Sequence, residues 1–300
     1  MNTCNILHEY KNGNYKVRIY EDGSKIRFTL DDEFISAFPE SIDIKITNHC
    51  LNNCPMCHES SNPKGKHALL EHKFLDTLSK GTELAIGGGN PLSHPDLENF
   101  LVKMKEKGVI CNITVNQNEI SSSYDYLEYL VNNKLIYGLG ISVISDCNLE
   151  LIAKFINNHP NTVIHLIAGL IDYELLKKLY DKNYKILFLG YKIFGKGIDY
   201  YNIEIKENIL KLKNSLKEIS KRFYVVSFDN LALEQLDVAS IVSKEEYEKY
   251  FMGDDGLYTM YIDLVNEEYA LSSTSIKRYN LEENIEKMFK QVKKEIEKWR

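Results

Sequence analysis

Ile42-Asp43-Ile44-Lys45-Ile46-Thr47-Asn48-His49-Cys50-Leu51-Asn52-Asn53-Cys54-Pro55-Met56-Cys57 is the stretch on which the reading of this chain turns. Its first six residues alternate apolar and polar, the period of a strand with one buried face. Three cysteines then fall in one short loop. Three thiolates at this spacing can hold three irons of a [4Fe–4S] cube, whereas an electron-transfer cluster takes four cysteines. The fourth iron is then open to a small-molecule ligand, and an open metal position signals chemistry rather than scaffolding. Two other readings compete. A structural zinc site wants four ligands, usually in two separated pairs; His49 or His58 could serve as the fourth, but no second pair follows. Disulfides suit a short secreted chain, and Met1–Tyr10 lacks the apolar core of a signal peptide.

A second motif lies about thirty residues on, where the apolar run Leu84-Ala85-Ile86 ends in Gly87-Gly88-Gly89-Asn90-Pro91. Together the two resemble the radical S-adenosylmethionine (radical SAM) superfamily: Cys-x3-Cys-x2-Cys after a first strand, then a Gly-Gly-Glu-Pro-like turn after the second. The resemblance covers roughly residues 40 to 230. It implies a [4Fe–4S] cluster ligated by Cys50, Cys54 and Cys57, with the amino and carboxylate groups of S-adenosylmethionine on the remaining iron. It also implies reductive cleavage to a 5′-deoxyadenosyl radical that abstracts hydrogen from a small-molecule or peptide substrate. An electron donor such as a flavodoxin or ferredoxin is implied with it, and a reaction of the oxidoreductase or transferase class. The cofactor carries the hard step while protein supplies orientation, so no acid–base residue is obligatory and no catalytic side chain is assigned.

The resemblance also places cofactor contacts. Met56 stands where the family usually carries an aromatic residue beside the adenine; it fills that role or simply packs over the cluster. Gly87, Gly88 and Gly89 let backbone approach the methionyl amino group, which side chains would obstruct. Asn90 replaces the usual Glu: a neutral amide accepts a hydrogen bond from an ammonium without supplying countercharge. Asn116 and Ser142 end the third and fourth strands as polar candidates, or as satisfied strand-end groups. Gly190 ends the sixth strand, against the adenine. Tyr191, Lys192 and the Gly195-Lys196-Gly197 turn follow it toward substrate, although that turn lacks the spacing of a phosphate-binding loop.

Composition sets the class. The chain has 300 residues, 44% hydrophobic and 27% charged, the balance of a globular protein with a sizeable core. A formal charge of −6 disfavours binding to a nucleic-acid backbone. No stretch approaches the roughly twenty apolar residues that span a bilayer. Six cysteines without a paired framework point to a reducing compartment, the cytoplasm. Cys4, Cys111 and Cys147 show no ligand spacing and are expected as buried free thiols. The absence of cysteine from residues 231–300 argues against a second cluster.

Along the chain, residues 15–29 predict a hairpin turned at Asp22-Gly23. From residue 41, strands near 42–47, 84–86, 110–115, 139–144, 163–168 and 186–189 alternate with helices. These are expected near 67–79, 96–107, 123–134, 149–158 and 172–182, and alternation of this kind gives βαβ units and a parallel sheet. The expected fold is α/β, a partial (β/α)6 TIM-like barrel with an N-terminal β-hairpin and a small C-terminal α+β extension; a doubly wound sheet competes on pattern alone. The divisions are 1–40, 41–230 and 231–300. Past Tyr201 come a long charged helix, a strand at 224–228, a second hairpin over 258–272 and a last helix from Leu281 to Trp299. His49, His58, His67, His72 and His94 crowd the motif region and read as loop histidines.

Overall fold

Ile42, Ile44 and Ile46 are each at most 1% exposed, so the alternation of the first strand does bury one face. The computed structural model describes residues 5–296. An antiparallel sheet comes first: β1 (Ile6–Asn12), β2 (Tyr15–Tyr20) and β3 (Lys25–Phe28). The sequence predicts only β2 and β3. The extra strand β1 is largely exposed and lacks a two-residue burial period, which leaves little pattern to read.

The main sheet has ten strands. Seven are parallel and follow chain order: β4 (Ser41–Thr47), β5 (Glu83–Gly88), β6 (Ile110–Asn116), β7 (Gly138–Ser142), β8 (Thr162–Ile167), β9 (Lys185–Leu189) and β10 (Val225–Phe228). Order does not reverse between β4 and β10, as it would in a doubly wound sheet. Helices bridge the strands: α1 (Leu97–Glu106) before β6, α2 (Gln117–Ser122) and α3 (Tyr124–Asn132) before β7, and α4 (Leu149–Asn158) before β8. Then come α5 (Tyr173–Leu179) before β9, and α6 (Gly197–Tyr200) and α7 (Ile203–Ser220) before β10.

Between β4 and β5 the expected helix near 67–79 does not form; only a 3-10 segment, Lys73–Thr77, does. The reason lies just upstream. Ala68 N–H donates to Ile46 C=O at 3.0 Å and Asn48 N–H to Lys66 C=O at 2.8 Å, drawing that segment into extended pairing with the end of β4.

After α8 (Asn230–Gln235) and α9 (Lys244–Tyr250), the chain returns to the opposite side of the sheet. There β11 (Thr259–Asp263) pairs parallel with β4, with Met260 beside Ile42 and Ile262 beside Ile44. β12 (Glu268–Ala270) and β13 (Tyr279–Asn280) complete the edge antiparallel. The expected C-terminal hairpin is present as β11–β12, and it extends the main sheet. α10 (Ile285–Ile296) closes the chain with Ile285, Met288, Phe289 and Val292 buried; the expected end at Trp299 falls outside the described residues, as does Cys4.

One apolar core joins the isoleucines of β4 to Leu84, Ile113, Ile141, Ile164 and Phe188 of the next strands, to helix residues such as Phe100, Phe155 and Leu212, and to Phe289. Cys111 lies in it, and burial pushes its thiol up, so it stays protonated and inert. The other face of the strands is polar and small. Asp43, Lys45 and Thr47 of β4 lie beside Ala85 and Gly87 of β5, while Thr114, Gly140, Ser142 and His165 continue that face across β6 to β8. Burial holds His165 down at about 4, so it is neutral there. No helix among the described residues is long and apolar enough to cross a membrane.

Because α10 packs into the same core as β4, Phe289→Ala is expected to cost ~3–5 kcal/mol. It should shift one cooperative denaturant transition rather than create a second. A separate early transition for the C-terminal segment would contradict this packing.

Candidate functional site

The cysteine loop begins where β4 ends, at the carboxyl edge of the sheet, the edge at which α/β folds gather their ligands. Its base is clasped by backbone. Cys50 N–H donates to Asn62 C=O at 3.0 Å, and Asn62 N–H to Asn48 C=O at 3.1 Å. Inside the loop, Cys57 N–H donates to Cys54 C=O at 3.2 Å and Ser60 N–H to Cys57 C=O at 3.1 Å. Cys50, Cys54 and Cys57 are all free and half-exposed. Burial, then the neighbouring Cys57 and Cys50, push the Cys54 thiol up; a backbone hydrogen bond and Lys196 act the other way. Three sulfurs that repel one another as thiolates are a donor set that a cationic iron–sulfur centre would relieve. Among the described residues no three His, Cys, Asp or Glu side chains converge on a single metal ion. A cube takes one thiolate per iron, so its three sulfurs need not meet at one point.

The glycine turn after β5 is pressed against this loop. Gly88 sits at φ +104°, a conformation that L side chains rarely adopt, and a Cβ there would lie 2.4 Å from Thr47 C=O. A Cβ on Gly89 would lie 2.2 Å from His49 C=O. The close approach permits two hydrogen bonds, Gly89 N–H to Thr47 C=O at 2.7 Å and Asn90 N–H to His49 C=O at 2.8 Å. Gly87 is different, since a Cβ there would meet nothing within 4 Å. Asn90 Oδ1 accepts Leu92 N–H at 3.0 Å, capping the 3-10 turn Pro91–Ser93, so one of its two lone pairs is already spent.

The remaining sequence-expected residues take mixed positions. Asn116 Oδ1 accepts Asn118 N–H at 3.0 Å and caps α2, the strand-end alternative. Ser142 ends β7 half-buried and makes no side-chain hydrogen bond among the described residues. Gly190 N–H donates to Asp229 Oδ1 at 2.9 Å and its Cα abuts Leu231, so it is packed against α8. Met56 is half-buried, with its carbonyl beside Gly197. Lys196 braces the cysteine loop instead of facing an open site: its Nζ donates to Asn53 Oδ1 at 2.6 Å and Ser61 C=O at 2.8 Å, and its N–H to Cys57 C=O at 3.2 Å. His49, His67 and His94 adjoin in a row, the first pair tilted and the second edge-on, with centroids 5.3 and 5.1 Å apart. Cys147 departs from expectation: it is exposed, its Sγ 2.8 Å from Gln117 Nε2, because the loop after β7 carries it to the surface.

Apart from Lys192, sequence reasoning misses the charged groups on the polar face. Asp43, Lys192, Asp229, Asp255, Ser272 and Ser273 share a cavity of about 90 Å³ between β4–β11 and the ends of β9 and β10. Asp43 is exposed on β4 where it lines this cavity, and desolvation by the surrounding protein is the main cause that pushes its carboxyl up to about 6; Lys192 opposes that, while Asp255, Asp229 and Glu59 reinforce it. The alternation that exposes Ile42 and Ile44 as core marks Asp43 and Lys45 only as the other face. Nothing local says that this face is enclosed.

No protein-family model matches this chain, and no curated protein matches it. Solved structures do. SuiB of Streptococcus suis bound to S-adenosylmethionine superposes with a TM-score of 0.58 at 16% identity, over 82% of this chain and 64% of that one. SuiB bound to its precursor peptide SuiA gives 0.57 at 19% identity, over 82% and 63%. A third SuiB structure gives 0.56 at 15% identity, over 89% and 82%. At these identities the likeness establishes a shared fold. The chain spans under two thirds of the length of the two ligand-bound SuiB chains.

Two outcomes follow from the geometry. Gly89→Ala must displace the His49 carbonyl and is expected to cost ~1–3 kcal/mol, whereas Gly87→Ala should change stability by less than ~0.5 kcal/mol; denaturant titration of both variants checks the contrast. The second outcome concerns pH. Asp43 keeps its proton in the folded chain at pH values where the unfolded chain has released it, so its raised carboxyl favours unfolding increasingly from about pH 4 to about pH 6 and by a constant amount above that. Asp43→Asn should therefore raise Tm more at about pH 8 than at about pH 4. An equal gain at both would show that the carboxyl is not raised.

Proposed function

We propose that this chain is a radical S-adenosylmethionine enzyme. In this reading Cys50, Cys54 and Cys57 hold a [4Fe–4S] cluster at the carboxyl edge of a six-stranded partial barrel, β4–β9. The observation that carries it is the union of the two motifs: the Gly88–Asn90 backbone is hydrogen-bonded onto residues 47–49, immediately before Cys50. A fold shared with a protein that binds S-adenosylmethionine supports the reading. When bound, the cluster and S-adenosylmethionine supply a carbon-centred radical able to abstract hydrogen from an unactivated position.

The chain's own residues bind and orient. Gly87 leaves its Cα face open for the methionyl end of the cofactor. Asn90 offers its second Oδ1 lone pair to an ammonium, and Ser142 an uncommitted hydroxyl to a carboxylate or ribose. Met56 and the backbone at Gly190 would border the adenine, and the capped Asn116 contributes less than Ser142. The cavity lined by Asp43 and Lys192 opens on the same polar face and suits the substrate. A peptide substrate is favoured over a free small molecule, because the fold is shared with SuiB in complex with a precursor peptide. A flavodoxin- or ferredoxin-like protein would deliver the electron. The five described cysteines are all unpaired, as a reducing cytoplasm would keep them.

A second reading, cofactor binding without cleavage, rests on Asn90, which brings no countercharge and is partly spent as a cap. Anaerobic isolation separates the two. Brown protein with about four irons per chain is expected, and dithionite with S-adenosylmethionine should then release 5′-deoxyadenosine. Iron without any 5′-deoxyadenosine under every reductant selects the second reading; colourless protein holding one zinc overturns both. Cys54→Ala should abolish cluster and cleavage together. Asn90→Asp keeps the cap geometry and adds the missing charge, so cofactor affinity measured by equilibrium binding should stay level or rise. A large loss of affinity would remove Asn90 from the site.

A further inference from the structure

Glu59 leaves the cysteine loop two residues after Cys57, and two strands grip its carboxylate. Lys45 of β4 lies 2.9 Å from Glu59 Oε2, and the Tyr261 hydroxyl of β11 is 2.9 and 3.1 Å from the two carboxylate oxygens. Lys45 also pairs with Asp263 of β11 at 3.1 Å. The three charged side chains are only 4–11% exposed. Burial, followed by Glu59 and Asp263, pushes the Tyr261 phenol up, so it stays a hydrogen-bond donor. Beside this network His58 Nε2 lies 3.4 Å from Lys192 Nζ, which donates to Ser273 Oγ at 2.9 Å in the connection after β12. The exit of the cysteine loop is therefore tied to the C-terminal segment at two consecutive residues.

A buried group of two carboxylates and one ammonium adds little net stability, because desolvation offsets its attraction. What it does supply is a single geometry, since Lys45 is shared between Glu59 and Asp263 and its removal leaves both carboxylates uncompensated. We propose that Glu59 is a positioning residue for the cluster: with Lys45 and Tyr261 it fixes the exit of the cysteine loop, and its negative charge tunes the cluster's reduction potential. The proposal rests on the reading that the three cysteines hold a cluster. It assigns to a C-terminal segment without cysteines a part in building the cluster's seat.

The test compares Glu59→Gln, Tyr261→Phe and the control Tyr269→Phe, which removes from the neighbouring strand β12 a hydroxyl that donates to Glu282. Each is isolated anaerobically and reconstituted with iron and sulfide. Iron content, the EPR spectrum of the reduced cluster and its midpoint potential are then read. Glu59→Gln removes a negative charge and is expected to move the potential upward. Tyr261→Phe should alter the EPR spectrum, or lose iron from a chain whose circular dichroism is unchanged, while Tyr269→Phe matches wild type. Should Glu59→Gln fail to fold, Tyr261→Phe decides alone, because it removes only a hydroxyl. Wild-type potential and spectrum in fully loaded Glu59→Gln and Tyr261→Phe would overturn the positioning role. A wild-type chain that takes up no iron would instead remove the cluster reading, and this proposal with it.

Discussion

Backbone-to-backbone contact between two strand-end turns is the constraint from which the rest of the site follows. The turn after β5 can lie against residues 47–49 only because Gly88 and Gly89 have no side chains, a Cβ at either falling within 2.4 Å of a carbonyl oxygen. That contact fixes where Cys50 starts. The Asn62–Cys50 and Asn48–Asn62 bonds fix where the loop closes, and Lys196 pins its middle from the far side of the sheet. Three half-exposed thiols are thus held in a loop anchored from β4, β5 and the connection after β9. The fold places this arrangement at the strand ends, and the isoleucine face of β4 holds the strand itself in the core.

The parts of this architecture that were legible in the sequence are the parts with local signals. β4 through β9 were visible as apolar runs, and α1, α3, α4 and α5 as the segments between them, within a few residues of where they lie. The cysteine spacing and the glycine run were visible because each is a chemical pattern rather than a propensity. The segment at 67–79 misled because Leu69, Leu70, Phe74, Leu75 and Leu78 suit a helix, while hydrogen bonding from residues 66 and 68 to the end of β4 commits the preceding backbone to an extended path. Tertiary pairing overrode propensity there. The parallel register of β11 on β4 was illegible for a different reason. It joins residues more than two hundred positions apart, and neither strand's composition names its partner.

Site residues divide the same way. Glycines and cysteines announce themselves by type and spacing, whereas Glu59, Tyr261 and Asp263 acquire meaning only when β11 is laid beside β4. Asn116 and Asn90 show the converse. Both stand at strand ends where a polar side chain invites a ligand reading, and both spend a side-chain oxygen on capping the turn or helix that follows. A strand-end amide serves its own backbone first, and only what remains of its hydrogen-bonding capacity is available to a guest.

Lys196 carries an implication for motion. Its ammonium satisfies a side-chain oxygen of Asn53 and the carbonyl of Ser61, while its own amide holds Cys57, so one residue of the connection after β9 grips the cysteine loop at three separate points. The connection between β9 and α7 also carries Lys192, which lines the polar cavity. An occupant that shifted this lining would pull on the sulfur-bearing loop through a short, stiff linkage. The cavity and the cysteine loop are thus joined through one short stretch of backbone.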